Sequence, residues 1–232
     1  MKARKAIGIL GGMGPEASEY LYKTLIALSI NYFGAKNNDD FPEIVLQSVP
    51  VPDFISDEKS KEKALTMLLE RTKALNNLDL SCLSIACNTA HLLLPELQKV
   101  SRIPFISMID EVVHQVKKDG IQTIGIVGSP TTLTSKLYQS KLEQQNITCV
   151  LPTKTQLMSL EKIIRNVIAG EVKSADKKKL VTIAKSLQKK GAQGVILGCT
   201  ELPLVAPKVI DGLSIYNSVE ILAKALLQKY YK

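Results

Sequence analysis

The sequence predicts an α/β protein of two parallel-sheet lobes, related by a pseudo-twofold repeat, with a ligand cleft between them. Three observations carry this. Short apolar runs of strand length alternate with amphipathic segments of helix length along nearly the whole chain, the pattern of a parallel sheet with helical crossovers. The order of these pieces repeats: a strand ending in a glycine turn, a second strand before a proline, a helix, then a strand ending in cysteine. Ile7 precedes Cys87 by 80 positions and Ile124 precedes Cys199 by 75, which marks a degenerate internal repeat. Equivalent strand ends in two such lobes face one another across a cleft, where open α/β sheets bind ligands.

The first strand, residues 6–10, runs into the glycine turn 11–14. Pro15 suits the first turn of a helix, where a missing N–H costs nothing, and Ala17, Tyr20, Leu21, Thr24, Leu25 and Leu28 continue a helical stripe. The polar stretch 34–40 closes that helix. Residues 43–49 read as a buried strand, followed by a proline-rich loop at 50–56, and residues 60–75 as an amphipathic helix marked by Ala64, Met67, Leu68, Arg71 and Leu75. A strand at 80–86 delivers Cys87, a helix follows at about 90–100, and 103–106 forms a short strand.

The second set opens after a helix at 110–119 with the strand 123–129. A helix at 131–144, capped by Ser129 or Thr131, leads to a strand at 149–152. Helices at 156–169 and 174–190, divided at Gly170, precede the strand 194–198 that delivers Cys199. Residues 213–217 lead into a terminal helix at 218–230. The expected division is 1–107 plus 213–232 for the first lobe and 108–212 for the second.

Composition narrows the function. The chain has 232 residues, 45% of them hydrophobic, enough for a sizeable core. Its formal charge of +8 and pI of about 9.2 raise the question of an anionic partner. The lysine clusters at 117–118, 177–179 and 189–190 lie in mixed-charge helical segments without interleaved aromatics, so the reading is a solvated surface and no nucleic acid. No apolar run reaches the roughly 18 residues of a membrane span, and the basic residues 1–5 precede an apolar run that breaks at Gly11-Gly12, so neither a membrane nor a targeting segment is expected. Cys82, Cys87, Cys149 and Cys199 show no C-x-x-C spacing and are joined by only two histidines, which argues against a metal site and for a reducing cytoplasm.

Two motifs need sorting. Gly12, Gly14 and Ala17 fit a G-x-G-x-x-A dinucleotide pattern, but the second strand ends in Gln47-Ser48 without an acidic residue for a ribose, and Pro15 removes an amide from the turn. The remaining amides suit a smaller anion such as a carboxylate. Among the cysteines, Cys82 within a strand and Cys149 at the head of one read as packing residues. Cys87 and Cys199 sit at strand-to-helix turns, beside backbone N–H groups that favour thiolate, and their equivalent positions point to chemistry. His91, four residues after Cys87, is either its activating partner or a capping or core histidine. Glu201 either assists Cys199 or stabilises a helix start.

Taken together, residues 9–15 (ILGGMGP), 87–91 (CNTAH) and 198–201 (GCTE) resemble the aspartate/glutamate racemase family, in particular its aspartate racemase branch, over essentially the whole chain. The resemblance implies two flavodoxin-like lobes, a cofactor-independent amino-acid racemase and a homodimer. It also implies that Cys199 takes the α-proton of the L-isomer and Cys87 that of the D-isomer. Asn88, Thr89, Ala90 and Thr200 would hold the α-carboxylate, Gly12 and Met13 would form one wall, and Ser129 and Thr132 are further substrate-binding candidates. The sequence departs from the branch on the substrate's side chain. Where that branch carries an arginine after the Pro-Asp of the second-strand loop, Phe54 follows Pro52-Asp53; where it carries a lysine, Leu157 or Met158 stands, with Lys154 and Lys162 as possible substitutes. Losing such a charge-assisted contact forfeits about 1.5–3 kcal/mol, which opens the site to other side chains. The superfamily also contains two-cysteine maleate isomerases and one-cysteine decarboxylases, and retention of both cysteines argues against the latter. An amino-acid-binding module without catalysis is the remaining alternative.

Overall fold

A computed structural model describes residues 5–53 and 60–232. The first half runs β1 (Ala6–Gly11), α1 (Pro15–Phe33), β2 (Ile44–Ser48), α2 (Lys61–Leu75), β3 (Leu80–Ile85), α3 (Leu94–Val100) and α4 (Met108–Lys118). The second half runs β4 (Thr123–Gly128), α5 (Pro130–Thr134), α6 (Gln139–Glu143), β5 (Thr148–Val150), α7 (Lys154–Ile168), α8 (Ser174–Lys189), β6 (Gly194–Gly198), α9 (Leu202–Val205), β7 (Ser214–Asn217) and α10 (Ser218–Tyr231). Two separate parallel sheets result, one ordered β2-β1-β3 and the other β5-β4-β6-β7, with helices packed on both. The α/β class with two parallel-sheet lobes is as the sequence predicts.

β1, β3, β4 and β6 are almost entirely buried, because helices cover both faces of each sheet. This explains why they read as continuous apolar runs and not as alternating ones. Helix α7 sets Leu160, Ile163, Ile164 and Val167 at helical spacing against Val127, Val195 and Leu197 of the second sheet. Thr153 and Gln156 close its first turn as a capping box.

Several elements differ from the sequence expectation, each for a local reason. The strand expected at 103–106 is reduced to one bridge, Phe105 to Leu83, since Pro104 contributes only its carbonyl, which accepts from Leu83 N at 2.9 Å. The helix expected at 90–100 begins as a 3₁₀ turn, Thr89–Leu93, and becomes α-helical where Pro95 sits in the first turn of α3. The helix expected at 131–144 is broken into α5 and α6. Thr134 and Ser135 turn their hydroxyls onto carbonyls of the preceding turn, and Lys136 adopts a left-handed φ of 56°. The break turns Tyr138 fully inward.

The division at 213 also needs correction. β7 does not join the first sheet; it pairs in parallel with β6, and Tyr216 packs with Ile124, Ile126 and Ile196 in the second-lobe core. Only α10 crosses back. Asn217 caps it by accepting from the amides of Val219 and Glu220, and Val219, Leu222 and Leu226 pack on Ile7, Ile9, Leu21 and Leu25 of the first lobe. The chain's end therefore ties the two lobes together.

Candidate active site

The C-terminal ends of β1, β2 and β3 open onto a cavity of about 300 Å³, closed from the other side by α7. Its first-lobe lining comprises Gly12, Met13, Gly14, Pro15, Val51, Pro52, Asp53, Cys87 and Thr89, and its second-lobe lining Arg165, Ile168 and Ala169. The position is where ligands of open parallel sheets bind. Gly12 is required by the turn itself. Its φ is +88°, and a Cβ there would lie 2.5 Å from the amide nitrogen of Val49.

Cys87 leaves β3 at the cavity wall and keeps part of its surface exposed. The amides of Ala90 and Thr89 point at its sulfur and lower its pKa, but burial, and after it the charge of Glu201, outweigh them and push the thiol up to about 12. Cys199 follows β6 and is buried. Its Sγ donates to Glu201 Oε2 at 2.9 Å, and burial first, then the Glu201 carboxylate, then Cys87 hold it well above the ordinary thiol range. The strand-to-helix placement thus does not deliver resting thiolates. Cys87 opens into a 3₁₀ turn and Cys199 into the four-residue α9, so the dipole is small and burial is the larger influence on both sulfurs.

Glu201 is more than a helix-start residue. Oε1 accepts from the amide of Gly14 at 3.2 Å, while Oε2 accepts from Cys199 and from Thr200 Oγ1 at 3.1 Å. One buried carboxylate therefore links the second-lobe cysteine to the first-lobe glycine turn. His91 has the other of its two alternative roles. Nε2 accepts from the amide of Met108 at 3.0 Å, so Nδ1 carries the hydrogen and donates to the carbonyl of Cys87 at 2.8 Å. Burial lowers its pKa to about 4. With both nitrogens committed to backbone, this ring fixes the turn after Cys87 and does not act as a base.

Of the residues singled out from the sequence, Gly12, Met13, Cys87 and Thr89 line the cavity, whereas Asn88, Ala90, Ser129, Thr132, Cys199 and Thr200 are buried behind it. The hydroxyls of Ser129 and Thr132 are occupied between the lobes: Thr89 Oγ1 lies 3.0 Å from Ser129 Oγ and 2.9 Å from Thr132 Oγ1, and those two are 2.9 Å apart. Asn88 accepts from the Tyr138 hydroxyl and donates to Ser218 Oγ at 3.2 Å, which in turn donates to the carbonyl of Leu197 at 2.8 Å. Both networks join first-lobe to second-lobe residues, and no hydroxyl of either needs a ligand to be satisfied.

The side-chain end of the cavity is where sequence reasoning missed most. Phe54 lies outside the described residues. Leu157 packs on the second-lobe core, Met158 is exposed, and neither they nor Lys154 or Lys162 lines the cavity. Arg165 does. Its Nη1 lies 2.9 Å from Asp53 Oδ2 and its Nε 3.0 Å from Glu161 Oε1, and both carboxylates raise its pKa. The signal was present in the helix periodicity: Arg165, Ile168 and Ala169 share one face of the α7 register. Tyr138, in a segment that reads as one unbroken helix, had no comparable signal.

Comparison with known proteins accords with this architecture. The Asp/Glu/Hydantoin racemase family model matches residues 10–226. The chain is 22% identical over 227 residues to the broad specificity amino-acid racemase RacX of Bacillus subtilis, covering 97% of each chain. It is 34% identical over 131 residues to a glutamate racemase of Helicobacter pylori, a match that spans 55% of this chain and 49% of that protein. Among solved structures, an aspartate racemase homologue from Pyrococcus horikoshii superposes with a TM-score of 0.82 at 30% identity, over 98% of this chain and all of that one. The Picrophilus torridus aspartate racemase superposes at 0.85 and 27% identity, over 98% and 95%. With its two-lobe fold, its cysteine-bearing strand ends and a family match over nearly its full length, the chain belongs to the Asp/Glu/hydantoin racemase family.

Proposed function

We propose that this protein is a cofactor-independent amino-acid racemase in which Cys87 and Cys199 act as acid and base on opposite faces of the α-carbon. The observation that carries the reading is the pair itself: Cys87 stands on the wall of the interlobe cavity, and Cys199 is hydrogen-bonded to Glu201, whose other oxygen holds the Gly14 amide in the lining of the same cavity. Racemisation breaks the Cα–H bond on one face and forms it on the other. One sulfur, as thiolate, takes the α-proton and becomes a thiol; the opposite thiol gives its proton to the carbanion and becomes the thiolate. Each turnover exchanges their roles.

The free site favours two thiols, because both sulfurs are buried and share the negative charge of Glu201. A zwitterionic substrate changes that balance. Its ammonium brings a positive charge beside the sulfurs, and Glu201 is placed to receive the Cys199 proton through its 2.9 Å hydrogen bond. The amides of Thr89 and Ala90, already directed at the Cys87 sulfur, supply a polar environment for charge that develops between the cysteines.

The test is α-hydrogen exchange. Single L-amino acids incubated in deuterated water should acquire α-deuterium and racemise, and Cys87→Ser and Cys199→Ser should each lose racemisation. No exchange with any amino acid would sink the reading, and full racemisation by either serine variant would sink the two-cysteine mechanism. The reading includes a homodimer in the cytoplasm, so a solution mass equal to the 25.4 kDa chain would count against that part of it.

A further inference from the structure

Tyr138 is fully buried, and its hydroxyl and ring meet the chain beside both cysteines. The hydroxyl donates to Oδ1 of Asn88, the residue after Cys87. The ring edge lies against Gly198, the residue before Cys199, where an added Cβ would sit 3.1 Å from Cε2. Asn88 continues the chain of bonds: its Nδ2 donates to Ser218 Oγ at 3.2 Å, and Ser218 donates to the carbonyl of Leu197 at 2.8 Å. The direction of each bond is fixed, because an amide oxygen and a main-chain carbonyl can only accept. Asn88, Tyr138 and Ser218 are each no more than 1% exposed, so water does not compete for these bonds. Tyr138 reaches this place through the break between α5 and α6, where Lys136 holds a left-handed φ of 56° that residues with side chains rarely adopt.

We propose that Tyr138 is a positioning residue for the reaction: through Asn88 and Ser218 it holds the ends of β3 and β6 in the register that sets the two sulfurs on opposite sides of the α-carbon. The inference rests on the racemase reading for the reaction and adds what fixes its geometry. Each sulfur must come within proton-transfer reach of the same carbon, and the two arrive from different lobes, so neither sheet alone can set their separation. The bonds from Tyr138 to Leu197 span that gap from behind the cavity. Tyr138 itself does not exchange the proton, since burial, and after it Cys199, hold its hydroxyl well above the ordinary phenol range.

Tyr138→Phe keeps the ring on Gly198 and removes the hydroxyl, and Ser218→Ala cuts the chain of bonds at its other end. The proteinogenic L-amino acids are first screened singly for α-deuterium exchange in deuterated water, and the one that the wild-type protein exchanges fastest is used for steady-state racemisation. Both variants should lose about tenfold to a hundredfold in kcat, the scale of displacing a reacting group by up to about 1 Å, with KM within about threefold of wild type because the cavity wall is untouched. The double variant should be worse than the poorer single by no more than about twofold, since one break already opens the chain of bonds. Circular dichroism at the assay temperature gives the folded fraction, and a purely structural role would lower the melting point while leaving kcat per folded molecule unchanged. If Tyr138→Phe does not fold, Ser218→Ala decides alone. Unchanged kcat per folded molecule, a loss carried by KM, or losses that multiply in the double variant would overturn the proposal, while exchange by the wild-type protein leaves the racemase reading standing. No exchange by the wild-type protein with any amino acid would sink the racemase reading and this proposal with it.

Discussion

Glu201→Gln separates the electrostatic role of this carboxylate from its geometric one. The amide of Gly14 can only donate, so the glutamine oxygen must turn towards it, and the new NH₂ then faces Cys199 Sγ and Thr200 Oγ1. Both of those atoms can accept by rotating their own hydrogens away. The substitution therefore preserves the link to the glycine turn, removes a negative charge and gives Cys199 a donor where it had an acceptor. Unit charges about 4 Å apart interact by about 4 kcal/mol at an effective dielectric near 20, and here sulfur and carboxylate oxygen are 2.9 Å apart. If rearrangement returns half of that, about 2 kcal/mol remains, a fall of roughly one to two pKa units at Cys199. Cys87, raised to about 12 by burial first and by the same charge after it, should fall as well, by less. Iodoacetamide alkylation followed across pH, with each cysteine read by peptide mass, measures both midpoints. At fixed pH the thiolate fraction rises tenfold per unit while intrinsic nucleophilicity falls about threefold, so the net gain is about threefold per unit. A Cys199 midpoint that stays or rises in Glu201→Gln would refute the reasoning.

His91 should titrate with a midpoint near 4 by NMR of its ring protons. Because the folded pKa lies below the ordinary 6.5, the unfolded chain takes the proton first; stability is full above about 6.5 and is lost as pH falls towards 4, by about 3 kcal/mol in urea unfolding. Thr89→Val removes the hydroxyl that joins β3's end to Ser129 and Thr132, which keep each other as partners, so the cost should be about 1–2 kcal/mol, or a melting point lower by about 2–8 °C. A melting point within a degree of wild type would show that the lobes do not depend on it. Gly12→Ala forces an L side chain into φ +88° with its Cβ against Val49 N, and should cost about 2 kcal/mol or more by thermal melt along with most of the activity. Wild-type stability there would mean that the turn relaxes freely.

What the sequence made legible follows from what is local. β1, β3, β4 and β6 are short and buried on both faces, so composition alone marks them. The cysteines at their ends are placed by counting. Sheet membership is not local: nothing in residues 214–217 says that they pair with β6 and not with the first sheet, because that choice depends on which edge is open after the other strands have packed. The role of His91 was likewise decided by a residue 17 positions away, Met108, whose amide fixes the tautomer. Arg165 entered the cavity through a contact 112 positions distant, and Asp53 itself lay in the quoted Pro-Asp loop without any sign of its partner. Direct thiol activation by helix dipoles failed for a different reason. Burial, which only the finished fold imposes, raises both thiols by more than the turn amides lower them.

The two cysteines are not equivalent in this fold, and under the racemase reading that has a consequence. Cys87 receives two backbone amides, which favour its thiolate; Cys199 donates to a carboxylate, which favours its thiol. When one member of the pair ionises in the free enzyme, the preferred form is Cys87 thiolate with Cys199 thiol. Enantiomers have equal free energy, so the overall equilibrium constant is unity and kcat/KM must be the same in both directions, whatever the asymmetry of the site. The imbalance therefore falls on the interconversion of the two enzyme forms between turnovers. That step requires moving one proton from Cys199 to Cys87, and Glu201, hydrogen-bonded to the first and acting electrostatically on the second, is the group that biases it.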